Sequence, residues 1–113
     1  MRNFDDGEAV SNLLTALDME QCYLEQTLPS DCRIMSTLVL TTGEEVNIMT
    51  AYPVKPDMIA FTGVRNKQSI KMIVRYERIA HVSFHIEKGE PLDIKFFLQR
   101  PIAGLRADLR PPE

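Results

Sequence analysis

Apolar positions along the chain change period at Pro29, from one every three or four residues to one every two. Before it, Val10, Leu13, Leu14, Leu17, Leu24 and Leu28 fall on one side of a helix drawn through residues 7–28, GEAVSNLLTALDMEQCYLEQTL. Gln21 interrupts the stripe and narrows its middle. Pro29 cannot continue a helix and ends this one. Asp5 and Glu8 have the spacing of a capping pair, and the early acids suit the positive end of the helix dipole.

Beyond Pro29 the alternation predicts short strands. In residues 34–41, Ile34, Leu38 and Leu40 suit a core face, with Ser36 the exception. Thr42-Gly43-Glu44 makes a tight turn. In EVNIMTAY, Val46, Ile48, Thr50 and Tyr52 share one side, and Pro53 and Pro56 are expected to end that strand in a loop. MIAFTGV is a third strand, followed by a loop at RNKQ. In SIKMIVRY, Ile70, Met72, Val74 and Tyr76 alternate with Lys71, Ile73 and Arg75. AHVSFHI puts Val82, Phe84 and Ile86 inward, and LDIKFFL is a sixth strand after the EKGEP turn. One helix followed by closely spaced strands predicts a mainly β protein, a small open five-stranded barrel with an N-terminal helix and an added C-terminal strand. A single domain is expected over residues 1–99, its barrel over 33–99. Residues 100–113 form a proline-containing tail that would order only against a partner.

Composition narrows this picture. With 113 residues, 44% of them hydrophobic and 26% charged, the chain resembles an ordinary globular domain. The opening MRNFDDGEAV has no apolar segment of a secretory signal, and no apolar run reaches the roughly 20 residues of a membrane span. The expectation is a cytoplasmic protein without membrane contact. Cys22 and Cys32 are too few for a disulfide scaffold and are expected to be reduced, acting as small hydrophobes. The net charge of −3 hides an asymmetry: residues 1–57 sum to −7 and residues 58–113 to +4. Such segregation can place one cationic face on an acidic protein.

His81 and His85 invite a metal reading. On a helix they would share a face; on a strand, four residues span about 13 Å, too far for one ion. No metal is therefore expected here, and no cofactor or small-molecule substrate is expected either. Ser83 between them has no third group to orient a catalytic pair, and there is no nucleophile elbow or phosphate-cradling glycine loop. The expectation is a protein without catalysis. What remains is basic: Arg65, Lys67, Lys71, Arg75 and Arg78 lie within fourteen residues that contain one acid, Glu77. Guanidinium groups suit phosphates and stack on bases.

Two stretches resemble the Sm-like fold of the LSm and Hfq proteins, a likeness covering about residues 8–86. LVLTTGEEV resembles that family's first motif, an apolar strand leading into a turn centred here on Gly43. VRYERIAHV, residues 74–82, resembles the second, an apolar residue followed by Arg-Gly-Asp/Asn and a short alternating strand. Arg75 falls on the motif's arginine, Tyr76 replaces its glycine, and Glu77 stands near its acid or amide. The chain departs from the family at Ile48, where the first motif carries glycine, and near Ile59, where it carries a base-reading asparagine.

The resemblance implies a homo-oligomeric ring closed by pairing the fourth strand of one subunit with the fifth of the next. Ile73 would then be buried. It also implies single-stranded RNA binding near the fourth-to-fifth-strand turn, with Arg75, Tyr76, Arg78, Lys71 and Lys55 as contact residues. The alternative is a protein-interaction module on an SH3-like small barrel, using the acidic helix or the proline-containing tail.

Overall fold

The computed structural model describes residues 5–101. A 23-residue helix, α1 (Asp5–Thr27), precedes strands β1 (Cys32–Leu40), β2 (Glu45–Lys55), β3 (Met58–Arg65), β4 (Gln68–Arg75), β5 (Ile79–Lys88) and β6 (Lys95–Phe96). A single-turn 3-10 helix, Tyr76–Arg78, joins β4 to β5. The side chain of Asp5, expected to cap the helix with Glu8, and residues 102–113 of the expected tail fall outside the described residues. Among the described residues no helix is long and apolar enough to cross a membrane.

The strands form one sheet in the order β4-β3-β2-β1-β5, every neighbour antiparallel. It is not closed, so β4 and β5 are its edges. Pairing of β1 with β2 stops at Ile48, and the edge of β2 then exposed takes up β6 in parallel, at Thr50 and Ala51. The sixth strand is thus two residues long rather than seven. It anchors the C-terminal segment, because Ile94 and Phe96 are buried and Phe97 N–H donates to Ala51 O at 2.8 Å.

The core forms between the inner face of the sheet and α1. Val10, Leu14 and Leu17 pack against Leu38, Leu40, Val46, Ile48, Ile59, Phe61 and Val74. Leu24 and Leu28 are only half-buried, so the packed helix face tapers towards its end. Gln21 does not break that face: it is buried and its Nε2 donates to Glu25 Oε2, one turn on, at 3.1 Å. Ser36 is also buried, on the inward row between Ile48 and Phe84.

Two bulges in β2 revise the sequence pattern. Ile48 pairs with Gly63 and Thr50 with Thr62, which leaves Met49 as an extra residue and reverses the alternation after it. Ala51 therefore enters the core, while Thr50 and Tyr52 turn to the outer face instead of joining Val46 and Ile48. Pro53 does not end the strand, since it pairs with Ile59 and β2 runs on to Lys55. Proline is tolerated there because β1 and β6 have both stopped, leaving no ladder on that side to require its missing N–H.

Glycine matters at two places. Gly43 has φ +94° in the β1–β2 turn, where its N–H donates to Leu40 O at 2.8 Å. At Gly63 the bulged β2 approaches so closely that a Cβ would collide with Asn47 O and stand 2.9 Å from Ile48 Cα. Between β3 and β4, Asn66 and Lys67 adopt positive φ, as a two-residue hairpin turn requires.

Candidate functional site

The corner at Tyr76–Arg78 is fixed from two directions. Tyr76 N–H donates to Asp57 O at 2.7 Å, tying the corner to the β2–β3 turn, and Thr41 N–H donates to Arg78 O at 2.8 Å, tying it to the β1–β2 turn. Asp57 thus acts through its backbone, and no ion pair with Lys55 forms among the described residues. The Tyr76 ring packs half-buried against the core. It anchors the corner where a glycine would leave it looser.

Sheet register gathers the charges. Lys55 pairs with Met58, and Met58 with Arg75, so these three side chains form one row across β2, β3 and β4 on the outer face. Arg75 and Arg78 are exposed and line a cleft of about 420 Å³ between the edge of β4 and the β1–β2 turn. Thr41, Thr42, Met72 and Ile73 share its wall with Glu44, whose carboxylate pairs with Arg65, so apolar side chains, hydroxyls and one acid stand beside two guanidinium groups. Among the described residues neither arginine has a carboxylate partner.

Four of the five expected site residues therefore meet at one end of the sheet: Lys55, Arg75, Tyr76 and Arg78. Lys71 does not. It lies four residues back along β4, where its Nζ stands 5.2 Å from the centre of the Tyr52 ring. Arg65 also leaves the basic group, because its Nη1 pairs with Glu44 Oε2 at 2.6 Å. Arg100 joins Lys71 over Tyr52, with its guanidinium carbon 6.0 Å from the ring centre. Alternation alone gave no hint of this, since the contact depends on β6 docking and on the bulge that turned Tyr52 outward.

The histidines stand as strand geometry requires. His81 pairs with Val39 and His85 with Met35, both exposed and two rows apart. Among the described residues no cluster of three histidine, cysteine or acidic side chains forms a metal cage. His85 Nε2 lies 3.9 Å from Glu87 Oε1, and Glu87 Oε2 accepts from Arg33 at 2.7 and 2.9 Å. Cys22 is exposed rather than a buried hydrophobe; Cys32 is half-buried. Partial burial, then the Asp31 carboxylate 3.5 Å from its Sγ, hold the Cys32 thiol above its ordinary pKa and keep it protonated.

The open sheet leaves apolar side chains along both edges. Ile86, expected inward, is 47% exposed because among the described residues the sheet ends at β5. Val82 and Phe84 on the same face are only half-buried, as is Met72 on β4. Ile73, on the outer face of β4, is 60% exposed.

Compared with protein-family models, curated proteins and solved structures, the chain matches none.

Proposed function

We propose that this protein is a ring-forming, Sm-like small barrel that binds single-stranded RNA without catalysis, in the cytoplasm. One observation carries the RNA reading. Hydrogen bonds from Tyr76 to Asp57 and from Thr41 to Arg78 bring Lys55, Arg75 and Arg78 to one end of the sheet, where the two arginines line a cleft of mixed polar and apolar wall. Unpaired arginines there suit phosphates, and Met72 and Ile73 in the cleft wall offer apolar surface to an unstacked base. The ring reading is supported by the two open edges and the apolar side chains along them. A second copy pairing its β5 with this β4 would satisfy the edge backbone and cover those side chains.

The test is titration of Arg75→Ala/Arg78→Ala and parent protein with U-rich and A-rich single-stranded RNA at two salt concentrations. The parent should bind, more weakly at higher salt, and the variant should lose most of that binding. A parent that binds no RNA, or binds it without salt dependence, overturns the reading.

A second reading, a protein-interaction module, is favoured by one feature. A groove of about 350 Å³ lies between the start of α1, the Pro53–Pro56 segment and exposed Leu98. Capture of the same protein partner from lysate with and without nuclease treatment would support it over the first.

A further inference from the structure

Register assigns every side chain of β2, β3 and β4 to a face, because residues paired across neighbouring strands project to the same side. Ile48, Ala51, Ile59, Phe61 and Val74 are in the core, which defines the inner face. The rows between them face out: Asn47–Val64–Ser69, Thr50–Thr62–Lys71, Tyr52–Ala60–Ile73 and Lys55–Met58–Arg75. These twelve residues include three cations and no acid, in a chain whose net charge is −3; the acid of β2 on this face, Glu45, stands one row beyond Asn47, at the far end from Lys55 and Arg75. The docked C-terminal segment adds Arg100 and, beside Thr50, Lys95, whose charge is met by Asp93 at 4.0 Å.

Arg100 and Lys71 come from different parts of the chain yet converge on the same ring. Their distances to the Tyr52 centroid, 6.0 and 5.2 Å, put the two charges within about 11 Å of each other. Neither has a carboxylate within ion-pair distance among the described residues. Tyr52 is 9% exposed, so its ring serves as a base beneath the cations, and its negative π face lessens their repulsion. The hydroxyls of Thr50 and Thr62, bonded to each other, fill the row beside Lys71 with neutral polar groups. Lys71 is four residues along β4 from Arg75, a separation of about 13 Å.

We infer that the outer face of β2–β4 is a track for the phosphate backbone of single-stranded RNA. The strand leaves the Arg75–Arg78 cleft and continues to a second contact at Lys71 and Arg100. This inference rests on the RNA reading above and extends it to a surface beyond the corner. The cleft holds the terminal nucleotides, and Lys71 with Arg100 neutralises phosphates that only a longer strand reaches.

The experiment compares parent protein and Lys71→Gln/Arg100→Gln with a short RNA that fills only the cleft and a longer RNA of the same composition. Both side chains are exposed, so thermal melting should confirm an unchanged fold. The variant should bind the short RNA as the parent does but the longer one more weakly. Its log–log salt slope for the longer RNA should be shallower by about 1.4, the loss of two phosphate contacts on a single strand. Lys71→Arg, which keeps the charge, should retain the parent slope. If the parent binds both RNAs and the double variant leaves the longer one's affinity and slope unchanged, the track is wrong and the cleft stands. If the parent binds neither RNA, both readings fall together.

Discussion

At the scale of single residues, Gly63 and Tyr52 repay the closest attention. Gly63 lies opposite the Met49 bulge, where the two backbones approach until only hydrogen fits. Gly63→Ala would push backbone against backbone, which side-chain rotation cannot relieve. The expected cost is at least the roughly 1–3 kcal/mol of an overpacked core, read as a lower midpoint in urea unfolding. An unchanged midpoint would mean that β2 can move away and that the bulge is soft. Tyr52 owes its position to the same bulge. Without the extra residue it would enter the core, as simple alternation predicts, and Lys71 and Arg100 would have no ring beneath them. This is why the outer cationic pair was not legible in the sequence: Lys71 was recognisable as a candidate, whereas Arg100 lies 29 positions away in a proline-flanked segment.

At the scale of elements, β6 does more than its two residues suggest. It occupies the edge of β2 that β1 leaves free, and its Phe96 meets Phe84 of β5 edge to face, with ring centroids 6.3 Å apart. Phe96 is buried with Ile94 in the core that includes α1, so this short strand joins helix, sheet and C-terminal segment. Phe96→Ala should therefore destabilise the whole domain by about 3–5 kcal/mol, lowering the midpoint of a single cooperative transition. Local release of the C-terminal segment alone, with the main transition unmoved, would show that β6 is an attachment rather than part of the core. The corner between β4 and β5 has a similar double tie, through Asp57 and Thr41. The hydrogen-bonded turns hold its backbone, while Arg75 and Arg78 remain exposed.

At the scale of the whole molecule, the open sheet is the dominant fact. Two edges with unpaired backbone, one ending in 47%-exposed Ile86 and the other carrying 60%-exposed Ile73, are a template for association. Light scattering of the purified chain should give a closed oligomer of defined mass. Ile73→Asp, a charge placed at that contact, should shift it towards smaller species. A parent that stays monomeric across accessible concentrations would end the ring reading while leaving RNA binding by one subunit open to test. The charge asymmetry along the chain also takes its form at this scale. The basic second half contributes β4 and the corner, and Lys55 is the cation the acidic first half adds to the same face.

Periodicity by itself determined the helix, its end before Pro29, the order of the strands and the turn at Gly43, because each follows from local patterning and backbone sterics. The stretch 74–82 was also legible as strand, corner and strand, and strand rise was enough to separate the two histidines. Which residues share a face was not local. One unpaired residue in β2 reverses the alternation of all that follow, and its presence is set by pairing with a strand more than ten residues away. The docking of β6, the exposure of Ile86 and the meeting of Lys71 with Arg100 depend on where the sheet stops pairing with itself. Only the folded chain decides that, since burial and edge status belong to contacts between distant segments and not to any one of them.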